Sequence, residues 1–388
     1  MDKGGEILMN TPKQAIVFSG GGAYGAYEVG VLKALVKTGW AGPQIVSGAS
    51  AGAFNAALLA GAPDGDLAQA ARWLEDVWVN HIPGNVFRFR ADPMTILESL
   101  GNPFQATLNW LGDVQTLSTG LVSRVMNLGL VSPFDQRWLQ LVDLASFISV
   151  SSLEKLLSGL VKPDRLRDSK MKLSIVATNW TNGQAEVFTN KEMTDEHAVA
   201  VLLASAAIPG FFPPREVGSG TYVDGGVVTN TPLSPAIKDG ADEIRIIYLN
   251  QDVAKTPLLK IPNTLDTLDR VLAINLSFRI NSDIENARRI NRAIEMFDEQ
   301  ARDLVENNAS ELAHLASLWE RKRSEGSRRK LTIHRYFPTK DLGGVLGMLR
   351  FEKSAHEELV QRGYDDTMKH DCDDNRCVLH AASTPPTA

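Results

Sequence analysis

The sequence predicts an α/β fold built around a mainly parallel central sheet, and three stretches near its start carry that prediction. Residues 14–19 form a continuous apolar run (Gln-Ala-Ile-Val-Phe-Ser), suited to a strand buried on both faces. A glycine turn at 20–25 follows at once. A helix from about 26 to 37 comes next, with Val29, Leu32, Leu35 and Val36 on one face, and ends at Gly39. A second apolar run, Ile45 and Val46, enters Gly48-Ala49-Ser50-Ala51-Gly52, after which 53–60 read as helix. Strand, loop, helix and strand make one βαβ unit.

The rest of the chain extends the pattern. Residues 63–81 read as a helix ended by Pro83, and 171–178 as a strand with a partner at 185–188 across the Asn182-Gly183 turn. A short Ala/Val/Leu helix at 197–207 is closed by the stiff Pro209-Gly210-Phe211-Phe212-Pro213-Pro214 turn. Strands follow at 221–223, 243–249 and 331–337, and Asn230 with Pro232 marks a capped helix start. Residues 265–323 read as two or three charged helices outside the sheet, and 351–362 as a last helix stopped by Gly363. Residues 85–132 differ in character: from 101 to 134 only Asp113 and Arg124 are charged. This segment is expected to be a helical insertion over the sheet or a mobile apolar lid, and 134–160 also look helical. The division expected is therefore a flexible stretch at 1–13 and one α/β domain at 14–363. That domain carries a helical insertion at 85–160 and peripheral helices at 264–330, and a disordered tail at 364–388 follows.

Composition narrows the function. The 388 residues are 44% hydrophobic and 22% charged, with ample material for a large core. A net charge of −6 gives no reason to expect nucleic acid as a partner. Residues 1–13 lack an apolar leader core, and no run of 18 uncharged apolar residues occurs, so a cytoplasmic protein, at most peripheral to a membrane, is expected. The two cysteines lie in the tail, which points to a reducing compartment. His370, Cys372, Cys377 and His380 could ligate zinc by type, but their spacing fits no ligand pattern, so no metal or other cofactor is expected.

Gly48-x-Ser50-x-Gly52 between a strand and a helix has the form of a nucleophile elbow. The small flanks Gly48 and Gly52 permit the sharp turn, and Ser50 is left at a helix N-terminus, where a developing negative charge is favoured. The bland alternative is an N-capping serine in a Gly/Ala turn. Gly20, Gly22 and Gly25 also satisfy G-x-G-x-x-G, but the acidic residue that a dinucleotide site requires about 20 positions on is missing. Glycines present N–H groups without side chains, so the 20–25 loop suits an oxyanion hole instead.

A hydroxyl needs a base. The histidines are His81, His197, His314, His334, His356, His370 and His380, and none sits in a glycine turn. Only 49 residues precede Ser50, too few for the strands that normally precede the elbow of an α/β-hydrolase. A carboxylate in a dry pocket can serve instead.

The glycine triplet, Gly48-x-Ser50-x-Gly52, Ser205 with the 209–214 turn, and Asp224-Gly225-Gly226 occur in that order, and this ordered set resembles the patatin-like phospholipases of bacterial type over about residues 14–250. The resemblance implies a three-layer α/β/α fold and a Ser-Asp dyad of Ser50 as nucleophile and Asp224 as base. It also implies an oxyanion hole from Gly20, Gly21, Gly22 and Gly25. The substrate it implies is a phospholipid or lysophospholipid, met in transient contact with a membrane surface, and it leaves a homodimer open. One departure is Tyr24, where members often carry Arg or Lys. Two alternatives stay open: an α/β-hydrolase esterase with a Ser-His-Asp triad, and a non-catalytic lipid-binding module.

Overall fold

The computed structural model describes residues 12–63, 66–86, 88–89, 148–209, 211–249, 264–306 and 330–379. In chain order these form β1 (Gln14–Phe18), α1 (Gly25–Lys37), β2 (Ile45–Ala49), α2 (Ala51–Ala60) and α3 (Leu67–Asp76). The last runs into a π-helical turn, Val77–His81. There follow β3 (Arg88–Phe89), β4 (Ile148–Ser149), α4 (Ser151–Leu160), α5 (Pro163–Arg167), β5 (Lys172–Asn179), β6 (Ala185–Thr189), α6 (Ala198–Ser205), β7 (Arg215–Val217) and β8 (Gly220–Asp224). The chain closes with α7 (Leu233–Lys238), β9 (Glu243–Ile247), α8 (Thr264–Glu306), β10 (Thr332–Tyr336), α9 (Gly344–Met348) and α10 (Lys353–Met368).

The main sheet runs β10-β9-β1-β2-β5-β8-β7, with β6 also paired to β5. From β10 to β5 every pairing is parallel, as the apolar runs predict. Side-chain alternation along β1 sorts the two faces. Ile16 and Phe18 join α1, α2, α6 and α10 in one buried cluster. Ala15 and Val17 join α7 and α8 in the other. The sheet is thus the middle of three layers. Among the described residues no helix is long and apolar enough to cross a membrane.

β5 is longer than its neighbour, and this has a direct consequence for function. Its residues Ser174, Ile175 and Val176 pair with both β2 and β6, so those strands flank it on opposite sides. Ala177 and Thr178 pair with both β6 and β8, so β8 occupies the side that β2 has vacated. β2 and β8 therefore approach head to head along one edge of β5. Ala49 lies opposite Val176, and Asp224 lies opposite the next residue, Ala177. The ends of the two strands meet.

Several expectations need correction. The last helix does not stop at Gly363 but runs on to Met368. A Cβ on Gly363 would strike the carbonyl of Tyr27, and one on Gly30 would strike that of Val360, so both glycines let α1 and α10 cross backbone to backbone. Gly363→Ala, which favours an isolated helix by about 1 kcal/mol, is accordingly expected to lower the melting temperature. An unchanged or higher value would refute the close crossing.

Pro232 is the cap position of α7, not its first helical residue, and Asn230 and Thr231 are turned toward the β1 end instead. The region from 264 is one helix of 43 residues as far as Glu306, and 307–329 lie outside the described residues. So do 90–147, which hold most of the expected insertion and the first part of the helix expected at 134–160; the flanks β3 and β4 pair antiparallel. The expected disordered tail is folded through residue 379: Val378 and Ile333 exchange backbone hydrogen bonds of 2.8 and 2.9 Å. Residues 1–11 and 380–388 are outside the description.

Candidate active site

Ser50 sits between β2 and α2 with φ 54° and ψ −126°, a backbone conformation that costs an L-residue about 1–3 kcal/mol. The turn is tight enough that a Cβ on Gly48 would collide with the carbonyl of Gly52, and one on Gly52 with that of Phe18. The Ser50 N–H donates to Ser205 Oγ at 2.9 Å, and Ser205 in turn donates to the Val176 carbonyl at 2.6 Å. Ser205, the last residue of α6, thus pins the elbow to β5. Ser205→Ala leaves the Ser50 N–H buried without an acceptor, at a cost of about 1–3 kcal/mol. The expected readout is a lower melting temperature together with a lower kcat; unchanged values of both would remove Ser205 from the site.

Asp224 is buried, as is Ser50. Its backbone is held by N–H donation to the Ala207 carbonyl at 2.9 Å and by acceptance from Thr178 Oγ1 at 2.9 Å. Oδ1 accepts the Gly226 N–H at 2.6 Å, while Oδ2 is buried without a hydrogen-bond partner. Burial raises the carboxyl from its ordinary value to about 6, with the Ser50 hydroxyl and the Gly226 N–H pulling it partway back. A carboxylate with one open lone-pair site beside a serine hydroxyl is equipped to accept a proton.

The glycine loop comes up beside the elbow. A Cβ on Gly20 would lie 2.9 Å from Ser50 Cβ. Of the four glycines expected to form an oxyanion hole, two have their N–H engaged by the protein. Gly20 donates to the Asn230 carbonyl at 3.0 Å, and Gly25 donates back to Gly22 and Ala23. Gly21 and Gly22 precede the first donor of the following turn, Tyr24 to Gly21, and Gly22 lines the cavity beside Ser50. The expectation narrows to these two. Ala51, which sequence reasoning passed over, also lines the cavity, and the first donor of α2 is Ala53, two residues later.

Sequence reasoning also missed what braces the loop. Glu28 of α1 is fully buried, accepting from Ser19 N at 2.7 Å and from Asn55 Nδ2 at 2.8 Å. Asn55 also donates to the Gly25 carbonyl at 2.9 Å and accepts from Trp78 Nε1 at 2.6 Å. Burial pushes the Glu28 carboxyl well above the ordinary range, with Asn55 and the Ser19 N–H opposing. Tyr24 donates to the Gly344 carbonyl at 2.6 Å, which fastens the loop to α9.

Ser50 opens into a cavity lined mostly by apolar side chains. Its wall includes Phe54, Trp78, Ile82, Leu153, Leu203, Phe212, Met348 and Phe351. Ser50 and Arg215 are the polar exceptions, and Arg215 Nη1 stands 3.6 Å from Glu154. Among the described residues, neither Asp224 nor any histidine is part of this wall. His356 is buried against the Trp78 carbonyl, and His81 bonds Asp76 at the surface. Among the described residues, the side chains placed to share a metal ion lie elsewhere, near the end of the chain.

An apolar cavity opens beside a strained serine, and a buried acid lies at the end of the adjoining strand. A family model described as patatin-like phospholipase matches residues 16–237, more than half of the chain. The chain belongs to the patatin-like phospholipase family. The match takes in the glycine loop, the elbow, Ser205 and Asp224. Among solved structures, the chain is similar to VipD from Legionella pneumophila at 20% identity, covering 92% of this chain and 66% of that one, with a TM-score of 0.39. It is also similar, at 17% identity and a TM-score of 0.28, to a chain in the complex of full-length SpcU with full-length ExoU from the type III secretion system of Pseudomonas aeruginosa. That match covers 81% of this chain and 62% of the other. The patatin-like chain thus spans slightly less than two thirds of each. No curated protein matches it.

Proposed function

We propose that this protein is a serine lipid acyl hydrolase that cleaves fatty acyl esters of phospholipids or lysophospholipids through a Ser50-Asp224 dyad. The observation carrying the proposal is the head-to-head meeting of β2 and β8 on β5, which brings the two residues to one point above an apolar cavity. The acyl chain lies in that cavity, where transfer from water contributes about 0.8 kcal/mol per buried methylene. Ser50 Oγ attacks the ester carbonyl as its proton passes to Asp224. The N–H groups of Gly21 and Gly22 receive the oxyanion. Collapse of the tetrahedral intermediate expels the alcohol, which takes the proton from Asp224 and leaves an acyl-Ser50 ester. Water then gives its proton to Asp224, attacks the acyl carbonyl, and releases the fatty acid with return of the proton to Ser50.

Among the described residues Arg215 is the cation of the cavity wall, which supports a phosphate-bearing substrate. Contact with a membrane surface rests on the sparse charge of residues 101–134, and the cytoplasm remains the proposed compartment. Against a histidine triad stands the lack of any histidine in the cavity wall among the described residues. The test is incubation with mixed phospholipid and lysophospholipid vesicles followed by mass spectrometry of the products. Free fatty acid should appear with the protein and not with its Ser50→Ala variant. Absence of any acyl release, together with failure of a fluorophosphonate to label Ser50, would leave a lipid-binding module.

A further inference from the structure

The residues past Asp365 were expected to form a loose tail without metal, but folding brings them to His334 on β10. His370, Cys372 and Cys377 lie in the turn after α10, and with His334 they place four ligand atoms within 4.8 Å of one another. Cys372 Sγ is 3.5 Å from His334 Nδ1 and 3.5 Å from His370 Nε2, and Cys377 Sγ is 3.6 Å from His370 Nε2. A tetrahedral zinc ion with bonds of about 2.3 Å to sulfur and about 2.0–2.1 Å to nitrogen has S···N edges of about 3.5–3.6 Å. The three separations are those edges.

The surroundings are those of a metal centre as well. His334 turns its other nitrogen, Nε2, to Glu243 Oε1 at 3.4 Å, the carboxylate–histidine arrangement that orients a ligating ring. The Arg335 N–H donates to Cys377 Sγ at 3.3 Å, a bond that steadies a thiolate. The Asn375 amide lies 2.9 Å from His370 Nδ1 and is also held by the Arg335 carbonyl.

We propose that His334, His370, Cys372 and Cys377 bind one Zn²⁺ ion. Two thiolates and two imidazoles in a tetrahedron select zinc among the common divalent ions. Four protein ligands leave no open position, so the ion is structural. It stands on β10, three strands from the strand that delivers Ser50, and takes no part in acyl transfer. Its work is to fasten the segment after α10 to the sheet. His380 is not needed.

The test uses the full chain, purified without chelator from zinc-supplemented medium. Elemental analysis should find one zinc per chain, and cobalt loaded in its place should give the visible bands of a tetrahedral sulfur–nitrogen site. Cys372→Ser with Cys377→Ser should lose the metal, His334→Cys should keep it, and Glu243→Gln should weaken affinity about 10–100-fold. Stripping with a chelator should lower the melting temperature, and zinc but not magnesium should restore it. His380→Ala should bind as the parent does. The proposal fails if the parent carries no zinc and takes up no cobalt, if its thiols are joined in a disulfide, or if the double cysteine variant keeps its zinc.

Discussion

Ser50→Ala is expected to abolish fluorophosphonate labelling and to lower fatty acid release on the order of 10⁴-fold or more, while the protein stays folded. The elbow holds the residue at φ 54°, and alanine carries a Cβ just as serine does, so the backbone strain is the same in both. The melting temperature should therefore hardly move. Ser50→Gly should be equally inactive but more stable, because glycine occupies this conformation without the penalty of about 1–3 kcal/mol. A labelled serine elsewhere, or an alanine variant with undiminished turnover, would remove Ser50 from the mechanism.

The second large effect belongs to Asp224→Asn. The amide keeps the shape of the side chain and the bond from Gly226 but cannot take the Ser50 proton. Loss of a positioned base costs about 10²–10⁴-fold in rate. Acylation and deacylation should both slow, since one carboxylate serves both. In the parent protein, activity should fall as pH drops through about 6, where the buried carboxyl protonates. Stability runs the other way. The folded pKa lies above the unfolded one, so the native state binds the extra proton between about pH 6 and 4, and stability rises as pH falls through that window. The buried charge costs up to about 3 kcal/mol above pH 6, and Asp224→Asn should recover part of it at pH 8. A variant that is both active and no more stable than the parent would show that Asp224 is not the base.

The parts legible in the sequence are those set by neighbours in the chain. β1, the loop, α1, β2 and the elbow were readable because an apolar run, a glycine cluster and a helical stripe follow one another within 60 residues. Asp224 could be nominated only through the order of motifs. Its meeting with Ser50 depends on β5 outrunning β2, which is a matter of register rather than of composition. Glu28 and Asn55 looked like ordinary polar residues of α1 and α2, because nothing local marks a buried polar bridge. Gly363 read as a helix stop, since a close backbone crossing and a helix terminus call for the same residue. His334 was overlooked for a like reason: it lies 36 positions before His370, and only the return of the chain to β10 after α10 brings the rings together.

The backbone pairing of Val378 with Ile333 also bears on how this molecule behaves in a crowded solution. β10 is the terminal strand of the sheet, and an uncovered terminal strand offers its N–H and carbonyl groups to any passing chain. Val378 and Cys377 take the outward N–H groups of Ile333 and Arg335, so the molecule caps its own growing end. A truncation after Met368 would leave the candidate site in place and remove this cap. Such a protein should retain acyl hydrolysis when freshly diluted and yet assemble with time into β-rich aggregates, with a concentration dependence the full chain lacks.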